Sequence, residues 1–211
     1  MSSAAPTRLV LVRHGQTDYN RDGRLQGQVD IPLNETGRTQ ARAVARAVAQ
    51  NPPDLILASP LGRALETART IGEACGLPVS TDQALVERGF GHWEGLHSDA
   101  IRARWPQQLA DHREHRRVDG LGIESREGVA ERFAASCLRH VGENPGRTVL
   151  IVAHGAAITL GITELLGLHT SEFRGLAGLE NCHRSVLEPL SADPEGRRMR
   201  LLSHNLSPDF T

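Results

Sequence analysis

Three apolar runs each end in residues able to handle a phosphoryl group. Arg13-His14-Gly15 closes the first, Ser59 closes the second with Arg63 one helical turn later, and His154-Gly155 closes the third. Arginine offers a rigid fork of donors matched to oxyanions, and histidine is a nucleophile whose ring nitrogen can carry phosphate covalently. A second histidine beside the first, cationic when phosphate is bound, would stabilise the charge on the oxygens as the group moves. No metal is needed for such a transfer. A zinc site built on His14 and His154 lacks a third ligand at helical or close spacing, since neither H-x-H nor H-E-x-x-H occurs. Two function classes stay open on these residues: a phosphoryl-transfer enzyme and a non-catalytic domain that binds phosphorylated ligands.

The runs must lie side by side for those residues to meet. Arg8–Val12, Asp54–Ala58 and Thr148–Val152 read as buried strands of a mostly parallel sheet. Between the first two, Asn34 is placed to cap a helix with an apolar stripe of Ala41, Val44, Ala45 and Val48, stopped by Pro52-Pro53. After the second, Ser59 reads as an N-cap and Pro60 as a first helical residue, with the helix running to Gly76. Further helices are expected over 125–141 and 157–166. The tail reads as two edge strands, Arg184–Leu190 and Met199–Ser203, around Asp193-Pro194-Glu195-Gly196. Strand and helix in alternation is the α/β signature, and in such sheets ligands bind beyond the carboxyl ends of the strands. The polar stretch 90–125 reads as an inserted lid within a single domain spanning 1–211. Leu160, Ile162, Leu165, Leu166 and Leu168 read as core, with a homodimer surface as the alternative.

Leu11-Val12-Arg13-His14-Gly15-Gln16-Thr17, Asn20 and Thr36-Gly37-x-x-Gln40-Ala41 begin an ordered set of motifs. Ser59-Pro60-Leu61-Gly62-Arg63, Leu85-x-Glu87, Gly91-x-Trp93-Glu94-Gly95 and Val152-Ala153-His154-Gly155 complete it. The set resembles the histidine phosphatase superfamily, whose phosphoglycerate-mutase-like fold is a three-layer α/β/α sandwich. The resemblance implies a phosphohistidine intermediate on His14 and no cofactor. It also implies a phosphate pocket of Arg13, Arg63, His154 and Gly155 with Asn20 at its rim, and Glu87 as proton donor and acceptor. Gln26, after the nucleophile loop, is implied as a substrate contact. Read without the resemblance, Glu87 follows an apolar strand, Ala84-Leu85-Val86, and competes with Glu35, Glu94 and Glu124 for a proton-transfer role. Within the superfamily, His14 to Asn20, Gln26-Gly27-Gln28 and Glu180-Asn181-Cys182-His183 look most like glucosyl-3-phosphoglycerate phosphatases and related sugar-phosphate phosphatases. A phosphoglycerate mutase is the alternative, although no long insertion stands between Arg24 and Leu33. His92 stands where the family often has an acidic residue.

Composition narrows the partners. The chain has 211 residues, 39% hydrophobic and 23% charged, with a formal net charge of −1, which fits a folded globular chain with no global pull toward nucleic acid. All 24 cationic side chains are arginine, and only 3% of residues are aromatic, so no stacking platform for bases is expected. His112 to Arg117 forms a basic run that, on a lid, would suit a second anionic group through Arg116 and Arg117. Met1–Pro6 has neither a basic start nor an apolar core, and no run is long enough to span a membrane. Three separated cysteines suggest no disulfide framework, so a cytoplasmic protein with a small phosphorylated substrate is expected.

Overall fold

The computed structural model describes residues 6–191, 193 and 195–208. Strand β1 (Arg8–Arg13) leads to a short helix α1 (Asp18–Arg21), whose N-cap Thr17 forms a capping box with Asn20. Helix α2 (Glu35–Ala49) starts at Asn34, whose side chain accepts the Gly37 amide, and buries the expected Ala41, Val44, Ala45 and Val48. Strand β2 (Leu55–Ala58), helix α3 (Gly62–Cys75) and strand β3 (Val79–Thr81) follow. Next come α4 (Ser98–Arg104), α5 (Pro106–Arg113), α6 (Arg126–Gly142), β4 (Thr148–Ala153), α7 (Gly155–Leu165), β5 (Arg184–Pro189) and β6 (Met199–Leu206).

The six strands run in the order β3-β2-β4-β1-β5-β6. The first four are mutually parallel, and β5 and β6 are antiparallel additions beside β1. Because β1 and β4 are adjacent and in register, Arg13 pairs with Ala153 and the two histidine-bearing loops leave the sheet side by side. One hydrophobic core packs α6 and α7 against one face of the sheet, and another packs α2 and α3 against the other. The buried members of a third cluster, Phe90, Trp93, Ile101, Leu109, Val118 and Leu121, all come from 90–125, with Leu25 and Ala156 packed against them from outside.

Four local expectations are corrected. Ser59 is not the N-cap of α3; Leu61 occupies that position, and the Ser59 hydroxyl is used elsewhere. Ala84-Leu85-Val86 is not a strand: Gln83–Leu85 is a 3-10 turn started by Asp82, whose carboxylate accepts the Ala84 amide. Of the two tail strands only β6 is an edge, because β5 pairs with β1; the other edge is β3, a three-residue strand too short to show a period. Helix α7 begins two residues earlier than expected, directly at Gly155. Pro194 of the expected tail turn and Met1–Ala5 lie outside the described residues. Leu160, Ile162 and Leu165 are buried within the chain, as the core reading required, but Leu166 is only half-buried and Leu168, just past the end of α7, is exposed and not part of the core. No helix of the described residues is long and apolar enough to cross a membrane.

Candidate active site

His14, Arg63 and His154 converge in a buried cluster beyond the ends of β1, β2 and β4, with 2%, 0% and 0% exposure respectively. The His14 loop is drawn tightly onto the start of α2: a Cβ on Gly15 would stand 2.5 Å from the Gly37 carbonyl oxygen, and the Gly15 amide donates to Thr67 Oγ1 at 3.1 Å. That approach explains why glycine is needed at both positions.

His14 Nδ1 lies 2.7 Å from the Gly15 carbonyl oxygen and donates to it in the neutral tautomer, leaving the Nε2 lone pair available. Arg63 Nε stands 3.3 Å from that Nε2. Burial, then the positive charges of Arg63 and Arg13, holds the His14 pKa well below the usual histidine range. The ring is therefore neutral at neutral pH, with Nε2 unprotonated. Asn181 reaches back from the β5 side to donate its Nδ2 to the His14 carbonyl at 2.9 Å.

Arg63 is clamped by backbone: Nη1 donates to the Val29 carbonyl and Nη2 to that of Gly27, both at 2.8 Å. Arg13 Nη1 donates to the Leu179 carbonyl at 2.6 Å, while its Nε is buried with no protein partner. A Cβ on Gly155 would sit 3.5 Å from that Nε, an ordinary contact distance, so the start of α7 packs directly beside the guanidinium. His154 lies with its ring centroid 5.2 Å from that of His14, at an interplanar angle of 59°. Its Nε2 bonds the buried Ser59 hydroxyl at 2.7 Å, and its Nδ1 is buried without a protein partner. Burial, then Arg63, lowers its pKa well below the histidine range. Two orphaned nitrogens, on Arg13 and His154, in a cluster rich in positive charge make a pocket suited to an oxyanion.

Glu87 sits at the start of α7. Its Oε1 accepts the amides of Arg88 and Ala157, both at 2.9 Å, and its Oε2 accepts that of Ala156 at 3.2 Å. The competing carboxylates have other occupations. Glu94 accepts the Gln28 and Phe90 amides, Glu124 pairs with Arg132, and Glu35 pairs with Arg38 on the surface. Asn20 and Gln26 join the same loop network. Thr17 Oγ1 lies 2.8 Å from Gln26 Oε1, and Asn20 Oδ1 accepts the Thr17 amide at 3.1 Å. Gln26 is 9% exposed rather than a loop side chain in water.

Sequence reasoning missed Arg132, midway along α6. Its Nε and Nη2 grip both oxygens of Glu124 at 2.8 and 3.0 Å, Nη1 donates to the Ala84 and Val86 carbonyls at 2.7 Å, and Nη2 reaches the Glu87 carbonyl at 3.1 Å. It fixes the segment that carries Glu87, and nothing in its local sequence distinguishes it from a surface arginine. Arg116 and Arg117, by contrast, are exposed and spent on neighbours: Arg116 pairs with Asp111 and Glu114, and Arg117 with Asp119.

Comparison with known proteins identifies the family. Residues 9–203 match the family model of the histidine phosphatase superfamily (branch 1). The glucosyl-3-phosphoglycerate phosphatase of Mycobacterium tuberculosis is 42% identical over 95% of this chain and 95% of its own. A probable phosphoglycerate mutase of Enterobacter sp. (strain 638) is 35% identical over 85% of this chain and 84% of its own. A solved structure of the mycobacterial glucosyl-3-phosphoglycerate phosphatase with VO3 superposes with a TM-score of 0.85 at 37% identity, covering 95% of this chain and 99% of the other. The chain belongs to the histidine phosphatase superfamily.

Proposed function

We propose that this protein is a phosphoric monoester hydrolase working through a phosphohistidine on His14, with glucosyl-3-phosphoglycerate or a closely related sugar or glycerate phosphate as substrate. The observation that carries it is the tautomer of His14: Nδ1 is committed to the Gly15 carbonyl, and Nε2 is left unprotonated beside Arg63. In the first step Nε2 attacks phosphorus and the ester oxygen leaves, taking a proton from the Glu87 carboxyl. In the second, water attacks the phosphohistidine, Glu87 takes the water's proton, and phosphate departs from His14. Arg13, Arg63 and His154 grip the equatorial oxygens, with Gly155 packed beside Arg13. Asn20 and Gln26 orient the leaving group at the rim, and 90–125, with its own apolar cluster, covers it as a lid.

The relative of highest identity among those described supports the substrate class, and a solved relative carries vanadate. The phosphoglycerate mutase reading rests on relatives of lower identity. Three free cysteines support a reducing, cytoplasmic setting.

The test is phosphate release, with chelator present, from glucosyl-3-phosphoglycerate, 3-phosphoglycerate, other sugar phosphates and phosphoserine, for wild type and His14→Ala. A preference above about a hundredfold in kcat/KM, roughly 2.7 kcal/mol of transition-state discrimination, identifies the substrate. Isomerisation of 3-phosphoglycerate with a bisphosphorylated primer, and no net phosphate release, would replace this reading with the mutase.

A further inference from the structure

A cavity of about 770 Å³ lies between Arg88, the 114–119 segment and the start of α6. None of His14, Arg63, Glu87 and His154 lines it. Its charges are sorted. The acidic side chains around it are already paired: Glu124 with Arg132, Glu114 with Arg116, and Asp119 with Arg117. The exception is Glu127, exposed and with its Oε1 3.5 Å from the Thr170 hydroxyl.

Two of the arginines are not paired. Arg88 is only 4% exposed, yet its Nε donates to the Glu124 carbonyl at 2.8 Å, its Nη1 lies 3.3 Å from His112 Nε2, and its guanidinium carbon lies 5.3 Å from the centre of the Phe90 ring. Arg126 uses its Nε on the Thr170 carbonyl at 2.9 Å. Among the described residues neither makes an ion pair with a carboxylate. The carboxylates of Glu124, Glu87 and Glu127 act on Arg88 only through space, none of them bonding its guanidinium, so an anion in the cavity would complete its shell.

The surroundings add an unsatisfied nitrogen and a helix start. His115 lines the cavity with its Nδ1 buried and unpartnered, held in a left-handed backbone conformation at φ 61°. Burial, then Arg88 and Arg126, pushes His112 down to about 4, so its ring is neutral and the fixed positive charge on the cavity wall is that of the arginines. The 17-residue helix α6 points its first turn into the same space through Ser125, Arg126 and Glu127.

We propose that this cavity is a second oxyanion site, separate from the His14 pocket, taking a phosphate- or carboxylate-sized anion between Arg88, Arg126 and the start of α6. A free ion and the far anionic group of a longer ligand share that chemistry.

Calorimetric titration with inorganic sulfate at constant ionic strength tests it. Wild type should show two binding events. Arg126→Ala should show one, and so should Ser171→Glu, which sets a carboxylate at the exposed rim without removing a buried group. Both variants should hydrolyse p-nitrophenyl phosphate within about twofold of wild type, because the His14 pocket is untouched. A single event in wild type, or two events surviving in both variants, would overturn the proposal while leaving the phosphatase reading to its own assay. Repeating the sulfate titration in His14→Ala saturated with 3-phosphoglycerate separates the sources. Loss of the second event assigns the site to the ligand's own anionic group, and its persistence assigns it to a free ion.

Discussion

Glu87 Oε1 lies 2.9 Å from the backbone nitrogen of Ala157, and its Oε2 lies 3.2 Å from that of Ala156. Helix α7 therefore holds the carboxylate with its first turn while its N-cap residue, His154, lies against His14 with ring centroids 5.2 Å apart. One helix start positions two groups that come from different parts of the chain, which is how a glutamate on an irregular segment acquires a fixed direction.

Glu87→Gln keeps the size and one acceptor oxygen but cannot donate or accept the transferred proton. Its kcat on alkyl phosphates should fall by roughly 10²–10⁴. On p-nitrophenyl phosphate, whose leaving group needs little protonation, the first step should fall much less, and the phosphohistidine should accumulate because its hydrolysis still needs a base. Rapid quench with detection of acid-labile phosphoenzyme checks both outcomes, and equal losses on the two substrates would remove Glu87 from proton transfer.

Arg132→Lys replaces a planar fork that serves three carbonyls and a bidentate carboxylate with one ammonium. The lost partners should cost about 2–4 kcal/mol of stability, read as a drop in Tm. Because Arg132 acts on Glu87 through its backbone, kcat on alkyl phosphates should fall more than KM rises, and the ratio of alkyl to nitrophenyl rates should fall with it. An unchanged ratio would make Arg132 purely structural.

Ser59→Ala removes the hydroxyl at 2.7 Å from His154 Nε2 and leaves a buried ring nitrogen unsatisfied. The cost should be about 1–3 kcal/mol of stability. Phosphate binding should weaken as His154 loses its orientation, measured as an increased inhibition constant for inorganic phosphate. Ser59→Thr, which restores a hydroxyl, should recover most of it.

Much of this architecture was legible in the residues. The three parallel strands announced themselves as short apolar runs, and the α2 stripe was visible because its 3.6-residue period survives in a solvent-facing helix. His14, Arg63 and His154 were legible because the sheet rule places strand ends together. What stayed hidden depends on tertiary contact. Strand β3 has three residues, below any period. Ser59 reads as a cap because serine before Pro60 usually is one, and only the neighbouring β4 loop reveals that His154 takes its hydroxyl. The turn at 83–85 looked like a strand because apolar residues flank it, whereas Asp82 bends it locally. Arg132 is separated from the carbonyls it holds by more than a full helix of sequence, and no local pattern records such a bond.

Acid should unfold this protein earlier than its net charge suggests. His14 and His154 are held neutral by burial and by neighbouring cations, and His112 titrates at about 4 in the fold. In the unfolded chain each takes a proton near 6.5. Between about pH 6.5 and 4 the unfolded state therefore binds more protons, so stability is complete above that window and falls as pH drops, by up to about 1.4 kcal/mol per pH unit for each histidine. Melting in an anion-free buffer should show Tm falling by on the order of 10 °C between pH 6.5 and 5. His112→Leu should flatten the slope by about one proton. Hydrolysis of p-nitrophenyl phosphate should not decline with a pKa near 6.5 on its acid limb, because the His14 nucleophile stays unprotonated through that range. A flat Tm together with a rate loss centred at 6.5 would show that His14 is solvated and charged, contrary to its burial.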